Sequence, residues 1–180
     1  MKKAFTRQTR PFRTANFQQY VYNSHQTNIV EEYNIFLEQN FNFLNFLSEK
    51  FYNIIPIGTV EYEVISAILE TYLMVGNFIE YENFKNAIIK IQEIIKFAEQ
   101  YYESCIEIIE NFSIINGTIA TYITTYIAII INISNICSLF LPDSSNRIYD
   151  FFGISSTNWD YISIESNMLK NPSILFIKID

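Results

Sequence analysis

From Asn111 to Pro142 the chain runs for 32 residues without one charged side chain. No other feature restricts the fold so hard. A stretch of this length and apolarity has to leave water on most sides, into lipid or into protein. Its densest window, Ile123–Leu141, reads Ile-Thr-Thr-Tyr-Ile-Ala-Ile-Ile-Ile-Asn-Ile-Ser-Asn-Ile-Cys-Ser-Leu-Phe-Leu. As a helix it is long enough to cross a hydrocarbon core of roughly 30 Å. Residues 115–141 are therefore expected to span a membrane. Asn132, Ser134 and Asn135 fall near the middle of the window. In lipid such side chains must turn toward protein, which makes these three the candidate interface with another subunit. Two other readings stay open. The segment also fits a helix buried in a soluble bundle, or a pair of buried strands, because a continuous apolar run carries no period to tell them apart. The polar triplet discriminates the first two: in a membrane it meets another subunit, in a soluble core it meets this chain's own helices.

Upstream the periodicity is helical. Gly and Pro are scarce, 4 of each, which disfavours an all-β fold built on tight turns. A helix is expected from Asn28 to about Tyr52, with Glu31 and Glu32 in its first turn, where acids suit the helix dipole. Pro56 and Gly58 end it. Thr59 offers an N-cap for a second helix, in which Val64, Ile68 and Tyr72 form an i, i+4 stripe. Gly76 and Asn77 read as its stop. A third helix follows from Glu80 to Phe112, with Phe84, Ala87, Ile88, Ile91, Ile95 and Ala98 on one face. The fold class expected is mostly α, a small helical bundle or hairpin body with one transmembrane helix.

Charge divides the chain further. Residues 1–30 hold Lys2, Lys3, Arg7, Arg10 and Arg13 and no acid, whereas residues 31–110 hold 14 acids against 4 lysines. The net charge of the whole is −7. This predicts a basic extended arm at 1–27, an acidic helical body at 28–112, the uncharged segment at 113–142 and a tail at 143–180. The tail opens on the turn cluster Asp143-Ser144-Ser145-Asn146 and ends near the strand-like run Ile174–Ile177. It carries the single tryptophan, Trp159, which with Tyr161 suits either a membrane interface or a core. The five basic residues of the arm are candidate contacts for lipid or another anion. Phe5, Phe12 and Phe17 interleave with them and would stack on single-stranded nucleic acid. The acidic remainder would repel such a ligand, so nucleic acid is not the partner expected.

No catalytic constellation emerges. His25 is the only histidine. There is no Gly-rich phosphate loop and no nucleophile elbow. Cys105 and Cys137 have neither disulfide-framework nor zinc spacing. Glu99, Glu103, Glu107 and Glu110 line a helical face, but a di-metal carboxylate site would need Glu-x-x-His partners that the chain lacks. Catalytic, cofactor and metal residues are accordingly expected to be none, and the chain is expected not to be an enzyme. Three Asn-x-Ser/Thr sequons, at Asn111, Asn116 and Asn132, are chance products of an Asn-rich chain.

Two resemblances frame the functional expectation. Gly76-Asn77-Phe78-Ile79-Glu80 resembles the inter-helix turn of a tetratricopeptide repeat, with Ala87 downstream. Shifting by about 34 residues sets Asn111-Phe112 under Asn77-Phe78, with Glu110 in place of the glycine. More broadly, the Ile/Asn/Phe/Tyr bias, the Met-Lys-Lys start and the uncharged segment resemble a protein encoded in a ciliate mitochondrial genome. The Arg-rich, acid-free opening is presequence-like, and its retention at Met1 would fit a protein made in the compartment where it works. The resemblance implies a structural accessory subunit of a mitochondrial inner-membrane respiratory-chain complex or of the ATP synthase. Its partners would be other subunits of that complex and lipids. The alternative expectation is a soluble, intracellular, helical-repeat-like scaffold or adaptor.

Overall fold

The computed structural model describes residues 11, 13–23, 27–52, 58–111, 117–154 and 158–164. All regular structure among them is helical: α1 Thr14–Asn23, α2 Thr27–Lys50, α3 Tyr62–Glu80, α4 Phe84–Asn111, α5 Gly117–Cys137 and α6 Pro142–Phe152. The mostly α fold class is as expected, and α5 is one helix long and apolar enough to cross a membrane.

The middle of the bundle follows from periodicity. In α3 the buried side chains are Val64, Ile68, Thr71, Tyr72, Val75 and Ile79, and in α4 they include Ala87, Ile88, Ile91, Ile94, Ile95, Ala98, Cys105 and Ile109. Spacings of three and four put each set on one stripe. The two stripes pack together as a hairpin, and α4 also meets α2 and α5. Gln92 Nε2 donates to Glu32 Oε1 at 3.0 Å, and Lys50 Nζ donates to the Ile109 carbonyl at 3.2 Å, tying α2 to both halves of α4. Helix α5 has no polar face: every residue from Ile123 to Cys137 is buried. Such a helix belongs at the centre, and α3, α4 and α6 cover it. Within its apolar window 89% of the residues are buried inside the chain. The covering is protein, as the bundle reading of this segment requires.

Several boundaries differ from the periodicity reading. The expected extended arm is helical from Thr14 to Asn23: Phe17 and Val21, four residues apart, are buried, and Phe17 packs edge-on against Phe140 with centroids 5.9 Å apart. Helix α3 begins after Glu61 rather than Thr59 and does not stop at Gly76; it runs on to Glu80, and the turn to α4 lies at Tyr81-Glu82-Asn83. The repeat-like turn at Gly76–Glu80 is therefore the closing stretch of α3. Gly76 is there for space. A Cβ on it would sit 3.2 Å from the Trp159 indole nitrogen. Gly58 likewise lets the chain cross α5, where a Cβ would lie 2.3 Å from the Thr121 nitrogen. The crossing is fixed by backbone amides of Gly58 and Glu61 donating to Thr124 Oγ1 and Thr125 Oγ1 at 2.9 and 3.1 Å.

The tail holds a helix that its turn-like composition concealed. Pro142 opens α6, where its missing N–H costs nothing, and Gly153 closes it at φ 63°. The Ile154 amide then reaches back to the Tyr149 carbonyl at 2.8 Å, a Schellman closure. The strand-like run at 174–177 lies outside the described residues.

Candidate functional site

The densest polar chemistry is buried, on the side of α5 that faces α3 and residues 158–162. Asn132 and Asn135, one turn apart, project there together. Asn132 Nδ2 donates to the Ile162 carbonyl at 2.9 Å, while the Ile162 amide donates to Asn132 Oδ1 at 2.8 Å. One side-chain amide thus pairs with both backbone groups of one residue. Asn135 Nδ2 reaches the carbonyls of Asn158 at 2.8 Å and Asp160 at 3.2 Å, and also the Tyr72 hydroxyl at 2.8 Å. The Tyr72 hydroxyl donates to Asn132 Oδ1 at 3.2 Å, and the Tyr149 hydroxyl to Asn135 Oδ1 at 3.1 Å. Burial pushes the Tyr72 phenol well above its ordinary range, so it stays protonated as a donor. Trp159, 4% exposed, meets Tyr72 edge to face at 5.0 Å. It is a core residue.

The predicted polar triplet is split by this arrangement. Asn132 and Asn135 make their bonds within this chain, the outcome set out for a soluble core. Ser134 lies toward α2, beside the Tyr33 phenol, and Tyr33 shares a 3.0 Å hydrogen bond with the Ser145 hydroxyl of α6. A parallel buried link went unseen in the sequence: Tyr126 of α5 donates to Asn40 Oδ1 at 2.6 Å, and Asn40 Nδ2 to the Phe36 carbonyl at 2.6 Å. Only the polar residue inside an otherwise apolar stripe of α2 marked it.

The surface offers two further features. An open groove of about 510 Å³ lies between α1 and the α3–α4 turn, lined by Asn16, Gln19, Tyr20, Asn23, Glu82 and Phe84. Arg13, one of the five candidate anion contacts, forms an ion pair with Glu82 there. Lys2, Lys3, Arg7, Arg10 and His25 lie outside the described residues. On α4, Glu103, Glu107 and Glu110 are exposed and Glu99 is half-buried. Among the described residues no group of three His, Cys, Asp or Glu side chains could hold a metal ion. Cys105 and Cys137 are buried free thiols, Cys105 pushed up to about 12 by desolvation, which keeps it unreactive at neutral pH.

Comparison with known proteins gives this body a context. No family model matches the chain. It is similar to methionine--tRNA ligase of Streptococcus pneumoniae, 30% identical over 171 residues that cover 92% of this chain and 30% of the relative. Methionine--tRNA ligase 1 of Alkaliphilus oremlandii is 30% identical over 139 residues, 75% of this chain and 25% of the relative. Methionine--tRNA ligase of Bacillus cereus is 27% identical over 179 residues, 92% of this chain and 29% of the relative. The chain spans less than a third of the length of these relatives.

These likenesses overturn the mitochondrial expectation. The relatives are bacterial ligases, not accessory subunits of a respiratory chain or ATP synthase. The resemblance to a ciliate mitochondrial protein rested on the Ile/Asn/Phe/Tyr bias, the Met-Lys-Lys start and the uncharged segment, none of which reports ancestry. The inner-membrane placement falls with it, since the segment that supported it is wrapped by this chain's own helices. Membrane-complex subunits and lipids give way as expected partners for the same reason. The expectation of a chain outside enzymes is overturned by relatives that are enzymes. The exclusion of nucleic acid is overturned too, because every one of these relatives is named for tRNA. An acidic remainder does not by itself exclude nucleic acid, since counterion release depends on local basic groups.

Proposed function

We propose that this chain is a helical tRNA-binding module of the methionine–tRNA ligase kind. The observation that carries this reading is the length of the match, nearly the whole of this chain against under a third of the ligases. The described residues carry 17 acids and 6 basic residues, so phosphate contact falls to the basic start of the chain. Lys2, Lys3, Arg7, Arg10 and Arg13 are the groups proposed to meet it. The test is a titration of fluorescent methionine-accepting tRNA with the full chain at several salt concentrations. Binding that weakens linearly in log–log form with salt, and a shallower slope when the five basic residues become glutamine, is the expected result. No binding at low salt overturns the reading.

A second reading, a helical scaffold for a protein partner, is favoured by the acidic row of α4. The same titration separates the two, since a scaffold of this charge leaves tRNA free at every salt concentration.

A further inference from the structure

We infer that residues 158–162 form a strap that opens and closes over an aromatic slot between α3 and α5 while the helical body stays folded. The inference stands whether or not the chain meets tRNA. It rests on how the strap is held. It has no helix or strand of its own. Among the described residues its hydrogen bonds to the body come from two side chains of one helix, Asn132 and Asn135, and go to backbone groups of residues 158, 160 and 162. Its most deeply buried side chain is Trp159, seated against Tyr72 and over Gly76, with Tyr161 and Ile162 half-buried against the core beside it. Lifting the strap breaks these contacts and leaves the packing of α3, α4 and α5 on one another in place. Regions held in this way open locally at a lower cost than global unfolding.

What opens is a site of definite chemistry. The two asparagines ignore side-chain identity in the segment they hold, because within it they bond only to peptide N–H and C=O groups. Selectivity comes from the slot, which is cut for one flat ring: a Cβ on Gly76 would fall 3.2 Å from Trp159 Nε1. The slot is thus a receptor for an extended peptide bearing an aromatic side chain, and its occupant is this chain's own segment 158–162.

The full chain carries its own reporter, since Trp159 is the sole tryptophan. In a urea series, tryptophan emission and acrylamide quenching are followed beside far-ultraviolet circular dichroism. Trp159 is expected to become quenchable and red-shifted at lower urea than helix is lost. Coincident transitions would overturn the proposal. The variant Gly76→Ala separates strap from body, because alanine favours the α3 helix but crowds the indole. It is expected to raise quenching severalfold in buffer while the midpoint for helix loss stays or rises. A Gly76→Ala protein whose tryptophan remains as protected as in the parent would refute the slot. A Gly76→Ala protein that loses helix and tryptophan burial together would refute the independence of the strap.

Discussion

Helices α4 and α5 lie side by side and each contains eight isoleucines, yet they occupy opposite situations. In α4 the isoleucines alternate with Lys90, Glu93, Lys96, Glu99, Glu103 and Glu107, so one stripe is buried and the other faces water. In α5 the intervening residues are Thr, Ala, Tyr, Asn and Ser, and burial surrounds the helix from Ile123 onward. The same apolar content therefore produces a lateral helix in one case and an axial one in the other. The lesson concerns membrane-like segments. Apolar length reports only that a helix has left water; whether lipid or protein surrounds it depends on what the rest of the chain supplies. Here α3, α4 and α6 supply it, and the polar edge of α5 is satisfied by a backbone segment.

The largest effect that would sharpen this contrast is alkaline unfolding. Burial holds the Tyr33, Tyr72 and Cys137 protons above their ordinary range and pushes Cys105 to about 12 from an ordinary 9.0. The unfolded chain releases these protons sooner than the folded one. Their contribution is thus fully present below about pH 9 and is lost as pH climbs toward 12. Circular dichroism against pH should show cooperative loss of helix in that window; a flat trace to pH 12 would contradict the burial of these four groups.

Next in size is Ile127→Ala, at a fully buried α5 position, expected to cost about 2–5 kcal/mol in urea unfolding. Its counterpart Ile89→Ala, on the outer side of α4 and 41% exposed, is expected to cost less than about 1 kcal/mol. Equal losses would erase the distinction between the two helices. Asn132→Ala removes the partner of both Ile162 backbone groups, and about 1–3 kcal/mol should follow from leaving them unsatisfied. Were Asn132 spare, its alanine variant would match the parent in a thermal melt.

The smallest effect tests the hairpin turn that lays α4 against α3. Glu82 has φ 57°, the left-handed position that usually belongs to glycine at a helix end, and its carboxylate pairs with Arg13. Glu82→Gly relieves roughly 1 kcal/mol of backbone cost and removes an exposed pair valued at about 0.2–1 kcal/mol. A melting temperature unchanged or slightly raised is expected. A clear fall would mean that the Arg13 contact anchors α1 far more firmly than an exposed ion pair does.

The sequence by itself determined that the chain is helical, where α2 and α4 run, and that 117–137 cannot face water, because apolar spacing and charge distribution are local properties of the chain. It also placed Asn132 and Asn135 on one side of their helix. Tertiary structure alone decided the rest. It made Gly76 a space for Trp159 instead of a helix stop, since only the folded chain brings residues 76 and 159 together. It turned Pro142–Phe152 into a helix packed on α5, although Asp143-Ser144-Ser145-Asn146 reads locally as a turn. Above all it chose protein over lipid as the surroundings of α5. That choice rests on contacts across some sixty residues of sequence, such as Tyr72 with Asn132 and Asn135, and no pattern within one segment encodes them.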